Sequence, residues 1–199
     1  MKDLRISRRN VMKGVAAVGV LGALGRAPVV FAASNEEGDR TRVRWQQETV
    51  RWDIVQNTAN VLPGGQASAK ASDGSQITMT GSGTFVPGDP NNVTGGGTWT
   101  ATGSVAGSGT YRVTSLVSFT EAPGSLPSGT IDTIDEPADA RAGLAVFRIA
   151  YSDGSDGVLV FSCMLPVASP ASLLEGITAT KGFVDFWNSV IAPITIFHI

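Results

Sequence analysis

From Val43 onward, large apolar residues recur at every second position over much of the chain. In VRWDIV (50–55), Val50, Trp52 and Ile54 alternate with Arg51, Asp53 and Val55, the period of two that a half-buried strand requires. Gln46, Gln47 and Glu48 leave the segment before it without a clear period. In QITMTGSGTF (76–85), Ile77, Met79, Gly81, Gly83 and Phe85 share one face and Thr78, Thr80, Ser82 and Thr84 the other. Trp99, Ala101, Gly103 and Val105 alternate in the same way, as do Tyr111, Val113, Ser115, Val117 and Phe119. PGDPNN (87–92) interrupts these runs with turn-forming residues.

EAPGSLPSGTIDTIDEPADA (121–140) reads as a long connection, with three prolines and five acidic residues. Next come two apolar arms around SDGSDG, which predict a β-hairpin of Gly143–Tyr151 and Val158–Leu165. Both faces of both arms are apolar, so the hairpin is expected to be central, covered on one side by the far sheet and on the other by a helix or a partner chain. Helical cover is expected from the tail. Ser169-Pro170 and the spacing Ser172–Glu175 suit a helix start, and Phe183, Phe186 and Trp187 lie at i, i+3 and i+4. Pro193 ends that stripe, and ITIFHI (194–199) is either a last strand or an unpacked end.

Composition sharpens the fold. Residues 57–110 hold 12 of the 24 glycines and only three charges, with Ser and Thr dominant. Threonine-rich strands with interior glycines suit an antiparallel sheet that bends sharply. The expected fold is all-β, an antiparallel barrel in preference to a sandwich, with one or two short C-terminal helices.

The start of the chain differs in kind. Lys2, Arg5, Arg8, Arg9 and Lys13 precede a weakly hydrophobic run, Val15–Leu24, and Val30-Phe31-Ala32 places small residues where a signal peptidase cuts. Ser7-Arg8-Arg9-Asn10-Val11-Met12-Lys13 resembles the twin-arginine (Tat) export motif, with Val11 and Met12 where that family usually has Phe and Leu. The expected organisation is a Tat signal peptide at 1–32, a flexible lead-in at 33–42 and one barrel-like domain at 43–199. The resemblance implies the Tat translocase as a partner and a periplasmic or secreted destination. Removing the leader takes six of the 15 Lys and Arg but only Asp3 of the 17 acidic residues, which leaves 167 residues at about −7. That charge argues against nucleic acid and anionic membrane surfaces as partners.

The chemistry on offer is narrow. One cysteine, Cys163, and one histidine, His198, supply neither a disulfide nor the ligand set of a zinc, haem or iron–sulfur site, so no metal site and no cofactor are expected. A nucleophilic triad would need His198, which the sequence places too near its end for firm orientation. Acidic positions in 132–139, and Asp153 with Asp156, suit solvated loops better than a calcium site, since no EF-hand spacing is present. Trp45, Trp52, Trp99 and Tyr111 are the candidates for an apolar pocket, and Arg148, between Phe147 and Ile149, for a buried charge.

GSGTF followed by VTGGGTWTATGS, within 81–105, is similar to the strand–turn–strand pattern of the allene oxide cyclase/dirigent superfamily. That resemblance implies an eight-stranded barrel with an apolar cavity that steers bound organic molecules by shape, and it carries over no catalytic residue. Three functions stay open: a module binding a small apolar ligand in the barrel, a cofactor-independent cyclase or isomerase, and an extracytoplasmic interaction protein. An apolar cavity favours the first, a cavity with a perturbed acid or arginine the second, and a filled barrel the third.

Overall fold

The computed structural model describes residues 48–56, 58–189 and 194–199. The leader, the lead-in and Trp45 lie outside them. Along the described residues run β1 (Val50–Val55), β2 (Ala67–Lys70), β3 (Gln76–Met79), β4 (Ser82–Val86), β5 (Asp89–Val93), β6 (Gly96–Thr102) and β7 (Gly107–Ala122). They are followed by β8 (Ala140–Tyr151), β9 (Asp156–Cys163), β10 (Gly176–Lys181), β11 (Val184–Phe186), β12 (Asn188–Ser189) and β13 (Ile194–His198). Six strands close a ring. β8 pairs with β13, β13 with β1, β1 with β4, β4 with β6, β6 with β7, and β7 again with β8, all antiparallel. The fold is therefore an antiparallel β-barrel. Two wings extend it, β9–β10–β11 from β8 and β3–β2–β12 from β6, and β5 folds back on β4.

The narrowest join in the ring is β4 to β6, paired at Ser82 and Gly96. Glycine is required beside it. A Cβ on Gly83 would stand 2.3 Å from the Thr94 carbonyl oxygen and 2.8 Å from the Trp52 indole nitrogen. Gly95 has φ +104°, and a Cβ there would stand 2.2 Å from the Ser82 carbonyl oxygen. The glycine-rich stretch thus brings three strand ends together where side chains would hold them apart.

Alternating apolar residues meet at the centre. Trp52 packs against Phe147 and Phe161, with ring centroids 5.6 and 5.4 Å apart. Phe85 packs against Phe147 and Phe119, and Phe197 against Phe85, Phe119 and Phe161. Trp52, Phe85, Phe147, Phe161 and Phe197 have no exposed surface. These tilted and edge-on contacts are the favourable arrangement for aromatic rings, and they occupy the middle of the ring.

In β7 the expected single face is broken twice. Bulges fall between Val113 and Ser115 and between Leu116 and Ser118. The first turns Leu116 inward in place of Ser115, and Val117 is left exposed.

The C-terminal helices expected from the sequence are replaced by strands. Residues 176–189 form β10, β11 and β12. Gly182, with φ +58°, is the first central residue of a two-residue turn joining Lys181 to Val184, the arrangement of a type II′ hairpin. From there Val184 and Phe186 are buried, while Phe183 and Trp187 are 89% and 60% exposed. The period is two, which sets Phe186 on the buried face and leaves Phe183 and Trp187 off it. ITIFH packs as β13, between β1 and β8.

Candidate functional site

Trp52, Trp99 and Tyr111 are all buried core residues, while Arg148 is exposed on β8. The Tyr111 hydroxyl donates to the Thr80 carbonyl at 2.9 Å. The structure does not bring these four together into one site. Near Trp99 and Tyr151 the barrel holds a buried cation instead. The Lys181 ammonium lies 4.4 Å from the centre of the Trp99 ring and 4.7 Å from that of Tyr151, and it donates to Asp153 and to Ser155 Oγ. The Lys181 hydrogen bond, together with those that the Ser155 hydroxyl and N–H donate, holds the Asp153 carboxyl down at about 2.

His198 is firmly held, against the expectation of a loose end. Its Nε2 lies 2.8 Å from Asp132 Oδ2, and neither side chain has exposed surface. Asp132 Oδ1 accepts from the backbone N–H groups of Ile134 and Asp135, so the pair ties the 123–139 connection to β13. In the neighbouring β1, Arg51 forks onto the buried Asp53 at 2.6 and 3.0 Å. Cys163 is buried, and burial pushes its thiol well above the usual range.

The accessible space lies outside the ring. One cleft of about 550 Å³ runs over the outer face of β8, β9 and β10, where Leu144 and Val160 meet Leu173, Leu174 and Trp187. It is bordered by residues 172–175, which leave a turn and bend without regular structure, and by Trp187–Ser189, where the sequence led one to expect a helix. A second cleft, of about 540 Å³, lies between residues 58–61, 126–130 and 164–166. Leu174 and Trp187 stand open beside the first and Met164 beside the second, all three exposed. The two clefts share one wall residue, Glu175.

Glu175 ties three strands together. Its Oε2 accepts the Met164 N–H at the end of β9, and its Oε1 accepts the Thr195 N–H of β13 at 2.6 Å. The Thr195 hydroxyl lies 2.8 Å from Oε1 and also contacts the Ser162 carbonyl oxygen. Burial raises this carboxyl to about 7, although the donors from Thr195 and Met164 oppose the rise. Thr195 thus brings both its backbone N–H and its hydroxyl to Oε1, and these donors favour the ionised form against burial. A carboxyl poised near neutrality beside apolar space can give or take a proton and can hold a cation.

Sequence reasoning assigned Glu175 to a helix cap and so missed it. Its donors come from residues 11 and 20 positions away, and no local spacing marks such a site. Among the described residues, no group of three or more His, Cys, Asp or Glu is gathered as a metal would need.

Compared with family models, with curated proteins and with solved structures, the chain finds no match.

Proposed function

We propose that this is an exported small β-barrel protein that binds a small apolar ligand in the wall clefts that meet at Glu175. The observation that carries the reading is a cleft of about 550 Å³, walled by Leu144, Val160, Leu173 and Leu174, with Trp187 left open at its side. Concave, mostly apolar space with a few convergent polar groups is the usual form of a small-molecule site. The barrel interior is filled by aromatic rings, which removes a ligand inside the ring and would leave an interaction protein but for the apolar clefts in the wall. The export part of the reading rests on the twin arginines Arg8-Arg9 and the apolar run behind them.

Native mass spectrometry of the protein purified from its own host tests the binding. A retained low-mass organic species is expected, and its loss in Leu174→Asp, an exposed position where folding tolerates a charge. A protein that carries nothing and fails to take up an apolar fluorophore refutes the reading. Fusing residues 1–32 to a reporter tests export, which Arg8→Lys/Arg9→Lys is expected to block.

A second reading, a cofactor-independent isomerase, is favoured by Glu175, whose carboxyl is placed near neutrality as a proton-transfer group requires. Among the described residues, the lining of the two clefts contains no other titratable side chain to act as its counterpart. Recovery of the retained ligand unchanged, with no deuterium taken up from heavy water, separates binding from isomerisation.

A further inference from the structure

Resting on the binding reading above, we infer that the clefts select amphiphiles with a cationic end, an alkylammonium chain, with the Glu175 carboxylate as counter-ion. The argument begins with what lines them. Among the described residues, neither lining contains a lysine, arginine or histidine, and each contains a single acid, the same Glu175. An anionic head, such as a fatty carboxylate, would meet a like charge and no cation. A neutral head would find hydrogen bonds and no charge.

An ammonium is complementary on three counts. It supplies the charge partner that the half-buried Glu175 lacks among the described residues, since the groups bonded to its carboxylate are the neutral Thr195 and Met164. Its N–H groups can donate to the carboxylate lone pairs those donors leave free. Trp187, 60% exposed on the cleft wall, offers a ring face within the same space, and cations favour aromatic faces. Leu144, Val160, Leu173 and Leu174 then take the hydrocarbon chain. The whole chain is net negative, which favours approach of cations over anions.

Capture of the ammonium needs an ionised Glu175, so binding displaces a proton. The groups around it do not compete for that role. From β9 comes the Cys163 thiol, kept neutral by burial. β12 brings Ser189, whose hydroxyl donates to the Glu175 backbone carbonyl. β13 brings Thr195 and His198, and the histidine ring is turned to Asp132. β10 carries Lys181 at its far end, occupied by Asp153.

Titration of decylamine, decanol and decanoate into the purified protein, read by tryptophan fluorescence and calorimetry, tests the inference. Decylamine is expected to bind tightest and decanoate weakest, with saturation at a fixed stoichiometry. Its affinity is expected to rise about tenfold from pH 6 to pH 8, as Glu175 gives up its proton, while that of decanol stays level. Glu175→Gln is expected to erase both the preference and the pH dependence. The pH profile of the unaltered protein stands on its own if that variant folds poorly. Equal affinity for decylamine and decanol, or a preference that survives Glu175→Gln, overturns the inference and leaves the binding reading standing. Failure of all three probes to bind overturns both.

Discussion

Replacing Glu175 with glutamine removes a titrating group without removing its bulk, and the structure fixes the sign of the result. In the folded protein the carboxyl titrates near 7, against an ordinary value of 4.5. Between those values the folded state keeps a proton that the unfolded chain has released. Stability therefore falls as pH rises through this window and levels off above it. At about 1.4 kcal/mol per unit, the shift amounts to roughly 3 kcal/mol, an order-of-magnitude figure. Glu121, also raised by burial, adds to the same slope, so the difference between two proteins is the informative quantity. Urea unfolding at closely spaced pH values between 4.5 and 8 measures it. The unaltered protein is expected to lose roughly 3 kcal/mol more than Glu175→Gln across the window. Glutamine itself adds a cost that does not vary with pH, because its NH₂ faces a backbone N–H that the carboxyl oxygen had satisfied. Parallel pH profiles for the two proteins, or a steeper loss in Glu175→Gln than in the unaltered protein, would refute the reasoning.

Four further outcomes follow from contacts described above. Gly83→Ala forces a Cβ against the Thr94 carbonyl and the Trp52 indole and is expected to cost about 2 kcal/mol or more in urea unfolding; a neutral result would mean that the β4–β6 join is loose. His198→Ala strands the buried Asp132 carboxylate and is expected to cost about 3 kcal/mol, read as a lowered melting temperature. Lys181→Met keeps the packing on Trp99 and Tyr151 and is expected to melt above Lys181→Ala, which opens a cavity; in both, carboxyl NMR should show Asp153 climbing from about 2 toward 3.8. Phe186→Ala is expected to cost about 3–5 kcal/mol and Phe183→Ala under about 0.5, a contrast that a helix with both on one face would not produce.

The strand-forming core was legible because alternation needs no knowledge of partners. Val50, Trp52, Ile77, Met79, Phe85, Trp99, Phe147 and Phe161 all read as one-face residues and all are buried. The long connection and the β8–β9 hairpin were legible from prolines and from the turn SDGSDG. The tail was misread because Phe183, Phe186 and Trp187 satisfy a helical stripe by spacing, while the deciding features are Gly182 at positive φ and the buried Val184. The bulges in β7 were invisible, since a bulge is defined by the strand across from it. Trp52, Trp99 and Tyr111, chosen as pocket candidates, share their pattern with core packing, and in this barrel they belong to the core. Glu175 owes its raised carboxyl to burial, a cover that only the folded chain assembles around it.

The pairing of β1 with β13 joins residues 51–55 to 194–198. Such distant partners meet only after much of the intervening chain is ordered, which slows assembly relative to the adjacent β8–β9 hairpin. Until β13 docks, β1 and β8 each present an unprotected flank able to accept a foreign strand. The hazard of intermolecular strand exchange in this protein is therefore concentrated at one late event, and conditions that loosen β13 are those under which it would clump.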